Sequence, residues 1–90
     1  MQLIIDNTII IPIKSYYYDN LTPEIIHFEV VINNNQDLFE YDSLVGKSYS
    51  NFSIQDNNNL IAIPHITKIT RLIITRQEDT NEPTIVLSCG

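Results

Sequence analysis

Few side chains in the sequence could bind a metal ion. His27 and His65 are the only histidines, Cys89 is the only cysteine, and no second His or Cys stands at ligand spacing from either histidine. A zinc site needs three or four such ligands brought together, and no spacing indicates that distant carboxylates converge on them. We interpret His27 as a half-exposed structural histidine of a strand. His65, after Pro64, is interpreted as a loop histidine that could also line a cleft.

Motifs for nucleophilic and phosphate chemistry are missing from the sequence. Gly46 and Gly90 are the only glycines, so neither a GxGxxG motif nor a P-loop occurs. No GxSxG motif is present, and no Ser or Cys stands beside a His in the sequence. Cys89 is interpreted as an incidental free thiol. The sequence therefore predicts a protein that is not an enzyme and that uses no cofactor and no metal.

A small acidic cluster lies beside the best helical pattern of the chain. Asp37, Glu40 and Asp42 supply carboxylates at spacings that could hold Ca²⁺. The D-x-[DN]-x-[DN]-G calcium loop is missing, however. A solvated helix face explains the cluster better.

Three consecutive tyrosines, Tyr16, Tyr17 and Tyr18, precede Asp19. In an extended chain, two of the rings point one way and one points the other way. Tyrosine is enriched in protein interfaces because it adds contact area at a low entropic cost. Core tyrosines with satisfied hydroxyl groups are an equally good interpretation. The predicted protein interface consists of Tyr16, Tyr17, Tyr18, Asp19 and Glu24.

Charge is distributed unevenly along the chain. Five Lys and Arg residues stand against eleven Asp and Glu residues, and residues 1–46 carry the whole net charge of −6. Five scattered bases make a poor footprint for nucleic acid, which binds proteins that neutralise several phosphates. The acidic half could meet a basic protein partner, although a surface that keeps the protein soluble explains it more simply. No signal peptide or membrane-spanning run is visible.

Composition predicts the structural class that must position these residues. Ile, Val and Thr account for 28 of the 90 residues, whereas Ala62 is the only alanine. β-Branched side chains lose χ1 freedom on a helix and pack well on a pleated sheet. The length suits one domain over residues 1–90. We expect an all-β or β-rich α+β fold.

Local patterns place the elements. Gln2–Ile5 and Thr8–Ile13 predict a hairpin around Asp6-Asn7, because both turn residues tolerate positive φ. Gln36–Leu44 is the best helical candidate, with Asp37 as a candidate cap and Gly46 after its end. Ile66, Ile69 and Leu72 also show a helical spacing, but the Ile and Thr content of their segment favours a strand. Further strands are expected at Glu24–Ile32, Lys47–Ile54, Leu60–Ile63, Ile66–Arg76 and Thr84–Cys89, with a polar turn at Gln77–Pro83. Six or seven strands and one short helix at this cadence indicate a small antiparallel barrel or sandwich.

Apolar alternation also predicts a core and an exposed edge. Thr84–Cys89 carries neither proline nor charge, so we expect it to be an unprotected edge strand that pairs with a second copy or another protein. The expected core consists of Ile4, Ile26, Phe28, Val30, Ile32, Leu44, Ile63, Ile73, Ile85 and Leu87.

Within Ile25 to Ile54, the strand His27-Phe28-Glu29-Val30-Val31-Ile32 meets an acidic linker, Gln36-Asp37-Leu38, and the turn Asp42-Ser43-Leu44-Val45-Gly46-Lys47 starts the next strand. This segment resembles part of the β-barrel domains of phage tail-hub proteins and type VI secretion spike proteins. The Gly-Ile-Val-Thr-like signature of those domains is replaced by Pro64-His65-Ile66-Thr67. The similarity covers about a third of the chain. The Ile- and Asn-rich, alanine-poor composition also resembles that of proteins from AT-rich viruses and bacteriophages.

Two functional classes follow as expectations. The first is a viral or phage structural or assembly module of a tail, baseplate or capsid, which acts through contacts with itself or with another protein. The second is a small acidic phage inhibitor of a host defence protein. Either would reside in the virion or in the host cytoplasm, and neither requires nucleic acid or a membrane.

Overall fold

A computed structural model describes residues 1–76 and 83–90. Within these residues, seven strands form one antiparallel sheet in the order β5-β4-β1-β2-β3-β7-β6, and one helix connects β3 to β4. The expected all-β fold of seven strands and one short helix is confirmed. The elements are β1 (Gln2–Ile5), β2 (Ile9–Tyr18), β3 (Ile26–Val30), α1 (Asn35–Ser43), β4 (Phe52–Asp56), β5 (Asn59–Ala62), β6 (Ile69–Arg76) and β7 (Pro83–Cys89).

Strand β2 belongs to both halves of the sheet. Its first residues pair with β1, and the residues from Ile13 to Tyr18 pair with β3. The pairing with β3 is interrupted by a bulge between Ile13 and Ser15. A bulge bends a strand and increases its twist, so the sheet curls around its inner face. Strands β5, β4 and β1 continue one half, and β3, β7 and β6 continue the other. The buried core lies inside this curl and includes Leu3, Ile11, Phe28, Ile54, Ile69 and Leu87.

The first hairpin has the predicted turn. Asp6 and Asn7 have φ values of 52° and 58°, and the amide of Thr8 donates to the carbonyl of Ile5 at 3.1 Å. Two positive φ values match the right-handed twist of the flanking strands. The Asp6 carboxylate also accepts from the amides of Ser50 and Asn51, at 2.8 and 2.7 Å. The turn thereby holds the segment that leads into β4.

Helix α1 covers part of the core, and its cap differs from the expected one. Asn34 caps the helix and its side chain accepts from the amide of Asp37, so the prediction of Asp37 as the cap is wrong. Tyr41 is buried and its hydroxyl donates to the carbonyl of Val31 at 3.3 Å. Gly46 has a φ of 87°, as expected after a helix end. Among the described residues, no helix is long and apolar enough to cross a membrane.

The structure corrects the predicted edge strand. Thr84–Cys89 lies in β7, which pairs with β3 on one side and β6 on the other, so this strand is not an edge. The sheet edges are β5 and β6. The prediction failed because the sequence of a single strand does not show where that strand stands in the sheet order. The predicted turn at Gln77–Pro83 lies outside the described residues, except for Pro83, which begins β7.

Several strand limits and core assignments also change. The strand expected at Lys47–Ile54 begins at Phe52, preceded by an isolated bridge between Ser48 and Lys68. Ile4 and Ile73 are only half-buried, because side chains alternate between the two faces of a strand. Leu3 and Ile5 face the core, so Ile4 faces outward, and Leu72 packs against the core, so Ile73 faces outward. Ile32 and Leu44 are half-buried and pack against the core. The other expected core residues are buried, namely Ile26, Phe28, Val30, Ile63, Ile85 and Leu87.

A matched pair of phenylalanines tests this core. Phe28 is fully buried, whereas Phe39 on α1 is 69% exposed. Phe28→Ala should lower the free energy of unfolding by about 3–5 kcal/mol, since it leaves a cavity that the neighbours fill only in part. Phe39→Ala should change it by no more than about 0.5 kcal/mol. Urea denaturation followed by circular dichroism measures both, and equal losses for the two variants would contradict the core assignment.

Candidate functional site

Tyr17, His27 and Ser88 lie side by side on the outer face of the sheet. The strand registers pair Tyr17 with His27 and His27 with Ser88, and Arg71 of β6 stands opposite Ser88. The four residues therefore form one row across β2, β3, β7 and β6. The rings of Tyr17 and His27 have centroids 5.0 Å apart with an interplanar angle of 34°. This row is the polar counterpart of the apolar inner face.

His27 makes a hydrogen bond with each ring nitrogen. Nε2 lies 3.0 Å from Oδ1 of Asp19, and Nδ1 lies 2.8 Å from Oγ of Ser88. An ionised carboxylate only accepts hydrogen bonds, so Nε2 donates to Asp19. Nδ1 and the Ser88 hydroxyl share the second hydrogen bond. Both ring nitrogens are therefore hydrogen-bonded. His27 is only 7% exposed, even though it lies on the outer face of the sheet.

These three side chains have the composition of a nucleophilic triad, but their burial makes them structural. In a catalytic triad the serine oxygen must reach a carbonyl carbon of the substrate. Ser88 is 1% exposed, so no substrate atom reaches its Oγ in this structure. Thr70 further ties this strand by donating to the carbonyl of Ser88 at 3.0 Å. The cluster cross-links β2, β3 and β7 from their outer side.

Sequence reasoning missed this cluster. His27 and Ser88 are separated by 61 positions along the chain. Their contact depends on β3 pairing with β7, and the strands carry no local signal of that pairing. A Ser88 hydroxyl on the outward-facing side of a strand also looks like an ordinary solvated residue. The expectation of a half-exposed His27 is corrected, because Ser88 and Tyr17 cover the ring.

Asp19 connects the His27 cluster to the turn between β2 and β3. Its Oδ2 accepts from the amides of Leu21 and Thr22, at 3.1 and 2.9 Å, while Oδ1 is bound to His27. The hydrogen bond from His27, followed by that from the Thr22 amide, holds the pKa of Asp19 below its ordinary value of 3.8. The backbone closes the same turn, since the Asp19 amide donates to the carbonyl of Ile25 at 2.9 Å. One carboxylate thus orders the whole turn.

This ordered turn displays large side chains to solvent. Leu21 is 94% exposed, and Tyr17 and Tyr18 are 53% and 52% exposed. Glu24 is exposed on the same turn. We call these residues, with Asp19, the β2–β3 tip: Tyr17, Tyr18, Asp19, Leu21 and Glu24.

The structure brings together most of the predicted interface residues. Tyr17, Tyr18, Asp19 and Glu24 belong to the β2–β3 tip, whereas Tyr16 turns inward and packs against the core, with its ring 6.3 Å from that of Phe28. Strand alternation places Tyr17 on the outer face and Tyr16 and Tyr18 on the inner side, where Tyr18, the last residue of β2, is 52% exposed. Sequence reasoning missed Leu21. Its position inside a turn, before Thr22-Pro23, is the only local signal that its side chain would be exposed.

The remaining reactive side chains do not assemble a second polar site in the described part of the chain. His65 is exposed in the segment between β5 and β6. Asp37 accepts from the amide of Asn33 at 3.0 Å and so serves the start of α1. Burial raises the pKa of the Cys89 thiol to about 12, which leaves it protonated and unreactive at neutral pH. Among residues 1–76 and 83–90, no three His, Cys, Asp or Glu side chains are placed to hold a metal ion.

An apolar cleft of about 540 Å³ opens where α1 meets the ends of β3 and β7. Among the described residues, Val30, Ile32, Leu38 and Ile85 line it, and Lys14 is the only charged one in this lining. Exposed Ile74 borders both this cleft and a smaller hollow beside Phe39. The described part of the lining can take apolar groups but contains no acid–base pair.

Comparisons with known proteins provide no template for these features. Searches of protein families, of curated proteins and of solved structures find no match to this chain.

The Asp19–His27 contact predicts a loss of stability in acid. A carboxyl group whose folded pKa is depressed contributes stability above its unfolded pKa, and loses it as the pH falls through the folded value. Asp19→Asn should therefore lower the melting temperature at pH 7, and the difference from the wild-type protein should shrink below about pH 3.9. The amide oxygen of Asn can still accept from Leu21 and Thr22, but its NH2 group then faces Nε2 of His27, so the variant removes the acceptor for His27 together with the charge.

Asp42→Asn is the matched control, because Asp42 is exposed on α1. Thermal melts of the wild-type protein and both variants between pH 3 and pH 8 should show a pH-dependent difference for Asp19→Asn alone. Equal melting temperatures for Asp19→Asn and the wild-type protein at pH 7 would show that the contact does not stabilise the fold.

Proposed function

We propose that this chain is a non-enzymatic structural or assembly module of a virus or bacteriophage, a tail, baseplate or capsid accessory that acts through protein–protein contacts. The observation that carries the proposal is the β2–β3 tip. Leu21, 94% exposed, follows two half-exposed tyrosines in the sequence and lies on a turn that Asp19 holds in place. A solvent-exposed leucine on an ordered turn has no folding role there, and large apolar groups on rigid elements are typical of binding surfaces.

Preorganisation supports binding at the tip. Association costs the ordering of loops and side chains at an interface. Here the turn is already ordered by hydrogen bonds from Leu21, Thr22 and His27 to a single carboxylate. The tip therefore presents its side chains without that cost.

The charge of the tip suggests the chemistry of its partner. Asp19 and Glu24 surround the apolar side chains, and residues 1–46 carry the whole net charge of −6. Such a surface suits a basic patch of a protein and repels nucleic acid and anionic membranes. The same acidic character favours the second candidate, a small phage inhibitor that covers a basic or nucleotide-binding surface of a host defence protein. Virion and host cytoplasm are the corresponding locations.

Incorporation into particles separates the two candidates. If the chain is a virion component, mass spectrometry of gradient-purified particles should detect it in a fixed ratio to the major structural proteins. Leu21→Ser should reduce its incorporation, whereas Ile10→Ser, which changes an aliphatic side chain that is 57% exposed on another part of β2, should not. Absence of the chain from particles, together with a stable complex with one host protein, would favour the inhibitor.

Kinetics with the partner identified in that way test the roles of individual tip residues. Rim charges mainly change association and aromatic anchors mainly change dissociation. Glu24→Lys should slow association and weaken its salt dependence, while Tyr17→Ala should speed dissociation by about tenfold. Asp19 is unsuitable for charge reversal because it holds the turn. Surface plasmon resonance at two salt concentrations measures both rates, with Asp56→Lys as the control for charge alone. Unchanged rates for both tip variants would rule out binding through the tip.

A further inference from the structure

We propose that β5 is a self-complementary edge through which two copies of this chain pair antiparallel across a two-fold axis at Ile61. This deepens the proposed assembly role by naming a surface and an occupant. All four residues of β5 are exposed, with Leu60 at 66% and Ile61 at 43%. The strand pairs with β4 on one side only.

The hydrogen-bond phase of the β4–β5 ladder determines which groups of the edge are free. The amide of Ile63 donates to the carbonyl of Phe52 at 2.9 Å. Hydrogen-bonded and non-hydrogen-bonded pairs alternate in an antiparallel ladder. In this register, the backbone N–H and C=O groups of Ile61 and Asn59 therefore point toward β4. Leu60 and Ala62 point their N–H and C=O groups away from the sheet.

The β1–β4 ladder supports the same phase. The amide of Asp6 donates to the carbonyl of Asn51 at 2.9 Å. In the β1–β4 register, the backbone N–H and C=O groups of residues 51, 53 and 55 therefore point toward β1. Phe52, Ile54 and Asp56 are left to bond β5. The two ladders therefore agree that Leu60 and Ala62 carry the unpaired groups of the edge.

Only one antiparallel register satisfies all of these groups with strand residues. When Ile61 faces Ile61 of the second copy, Leu60 pairs with Ala62 of that copy and the reverse pair follows by symmetry. Both N–H and both C=O groups of each chain are then used. Pro64, the next residue with this outward phase, has no N–H to extend the ladder. Leu60 also meets a small side chain across the axis, so the pair fits sterically.

Charge favours a second copy as the occupant. The chain carries a net charge of −6, all of it from residues 1–46, so a contact between two copies through acidic surfaces of that half would bring like charges together. The outward residues of the β5-β4-β1 side and the adjoining part of β2 are all uncharged: Gln2, Ile4, Ile10, Pro12, Ser53, Gln55, Leu60 and Ala62. Pairing at β5 therefore opposes no like charges within the strands.

The other sheet edge lacks this opportunity. The start of β6 is covered by the bridge between Ser48 and Lys68 and by the Gly46 amide, which donates to the carbonyl of Ile69 at 2.8 Å. Further along, Leu72 and Ile74 line a hollow together with side chains of α1. Edge strands are commonly protected by such coverage and by charge, and within residues 1–76 and 83–90 β5 has neither.

Disulfide trapping with purified protein tests the register. Ile61→Cys should form a disulfide-linked dimer, because directly opposed, non-hydrogen-bonded residues have Cβ atoms about 4.5–5.5 Å apart, near disulfide range. Asn59→Cys is the matched control on the same strand. Its two copies would lie about 13 Å apart along the strands, beyond disulfide reach. Cys89 does not compete because it is fully buried.

Sedimentation equilibrium tests the dimer itself. The wild-type chain should dimerise at micromolar concentrations. Ile61→Lys opposes two charges on the axis, and Ala62→Pro removes an outward N–H without touching the β4 ladder. Each should raise the dimer dissociation constant at least about tenfold, with unchanged circular dichroism, whereas Ile10→Lys, on the same outer side, should not.

Three outcomes would overturn the proposal: a wild-type monomer at high micromolar concentration, equal trapping at residues 59 and 61, or equal dissociation by Ile10→Lys. These measurements need no partner and do not involve the β2–β3 tip. Failure here would therefore leave the binding role of the tip standing, and loss of tip binding would leave the dimer intact.

Discussion

Strand β2 is the constraint on which the rest of this structure depends. It is the only strand shared by the two halves of the sheet, pairing with β1 along its first residues and with β3 along the rest. The bulge between Ile13 and Ser15 lies just after the first pair with β3 and bends the strand there. Because the two halves then face each other, Leu3 and Ile11 from one half share a core with Phe28 and Leu87 from the other.

The bulge also decides what the tyrosine run can do. Beyond it, Tyr16 faces the core and Tyr17 faces outward, where it lies against His27. The side chain of His27 links the paired strands to the turn, because it is hydrogen-bonded both to Ser88 of β7 and to Asp19 of the β2–β3 turn. The exposed tip is therefore an extension of the sheet's hydrogen-bonded framework. Such a framework permits a large apolar side chain to remain in solvent at a defined position.

The two proposed contacts lie in different places and have different chemistry. The tip is the turn between the inner strands β2 and β3, and β5 is an edge of the sheet. The tip combines exposed apolar side chains with acids, so it suits a partner of opposite charge. The β5 edge offers unpaired backbone groups among uncharged side chains, so it suits a copy of itself. A module with one self-pairing edge and one hetero-binding tip could join a symmetric pair to two partner molecules. This division follows from where charge lies on the strands, since both surfaces are exposed.

Local chemistry, readable in the sequence, determined the class of the fold and several of its parts. The β-branched excess led to strands, Asp6-Asn7 to a hairpin turn, and the pattern of Gln36–Leu44 to the helix. Alternation within β3 also placed Phe28 and Val30 in the core. These features depend on steric preferences of neighbouring residues, so they need no knowledge of the remaining chain.

Tertiary structure alone decided the strand order, and with it the functional surfaces. Thr84–Cys89 looked like a free edge by its composition, but its place between β3 and β6 gave that role to β5. Ser88 joined His27 only because β7 pairs with β3, a contact that spans most of the chain. Strand pairing depends on which curled arrangement buries the most apolar surface at once, and that is a property of the whole chain. No single strand carries that information.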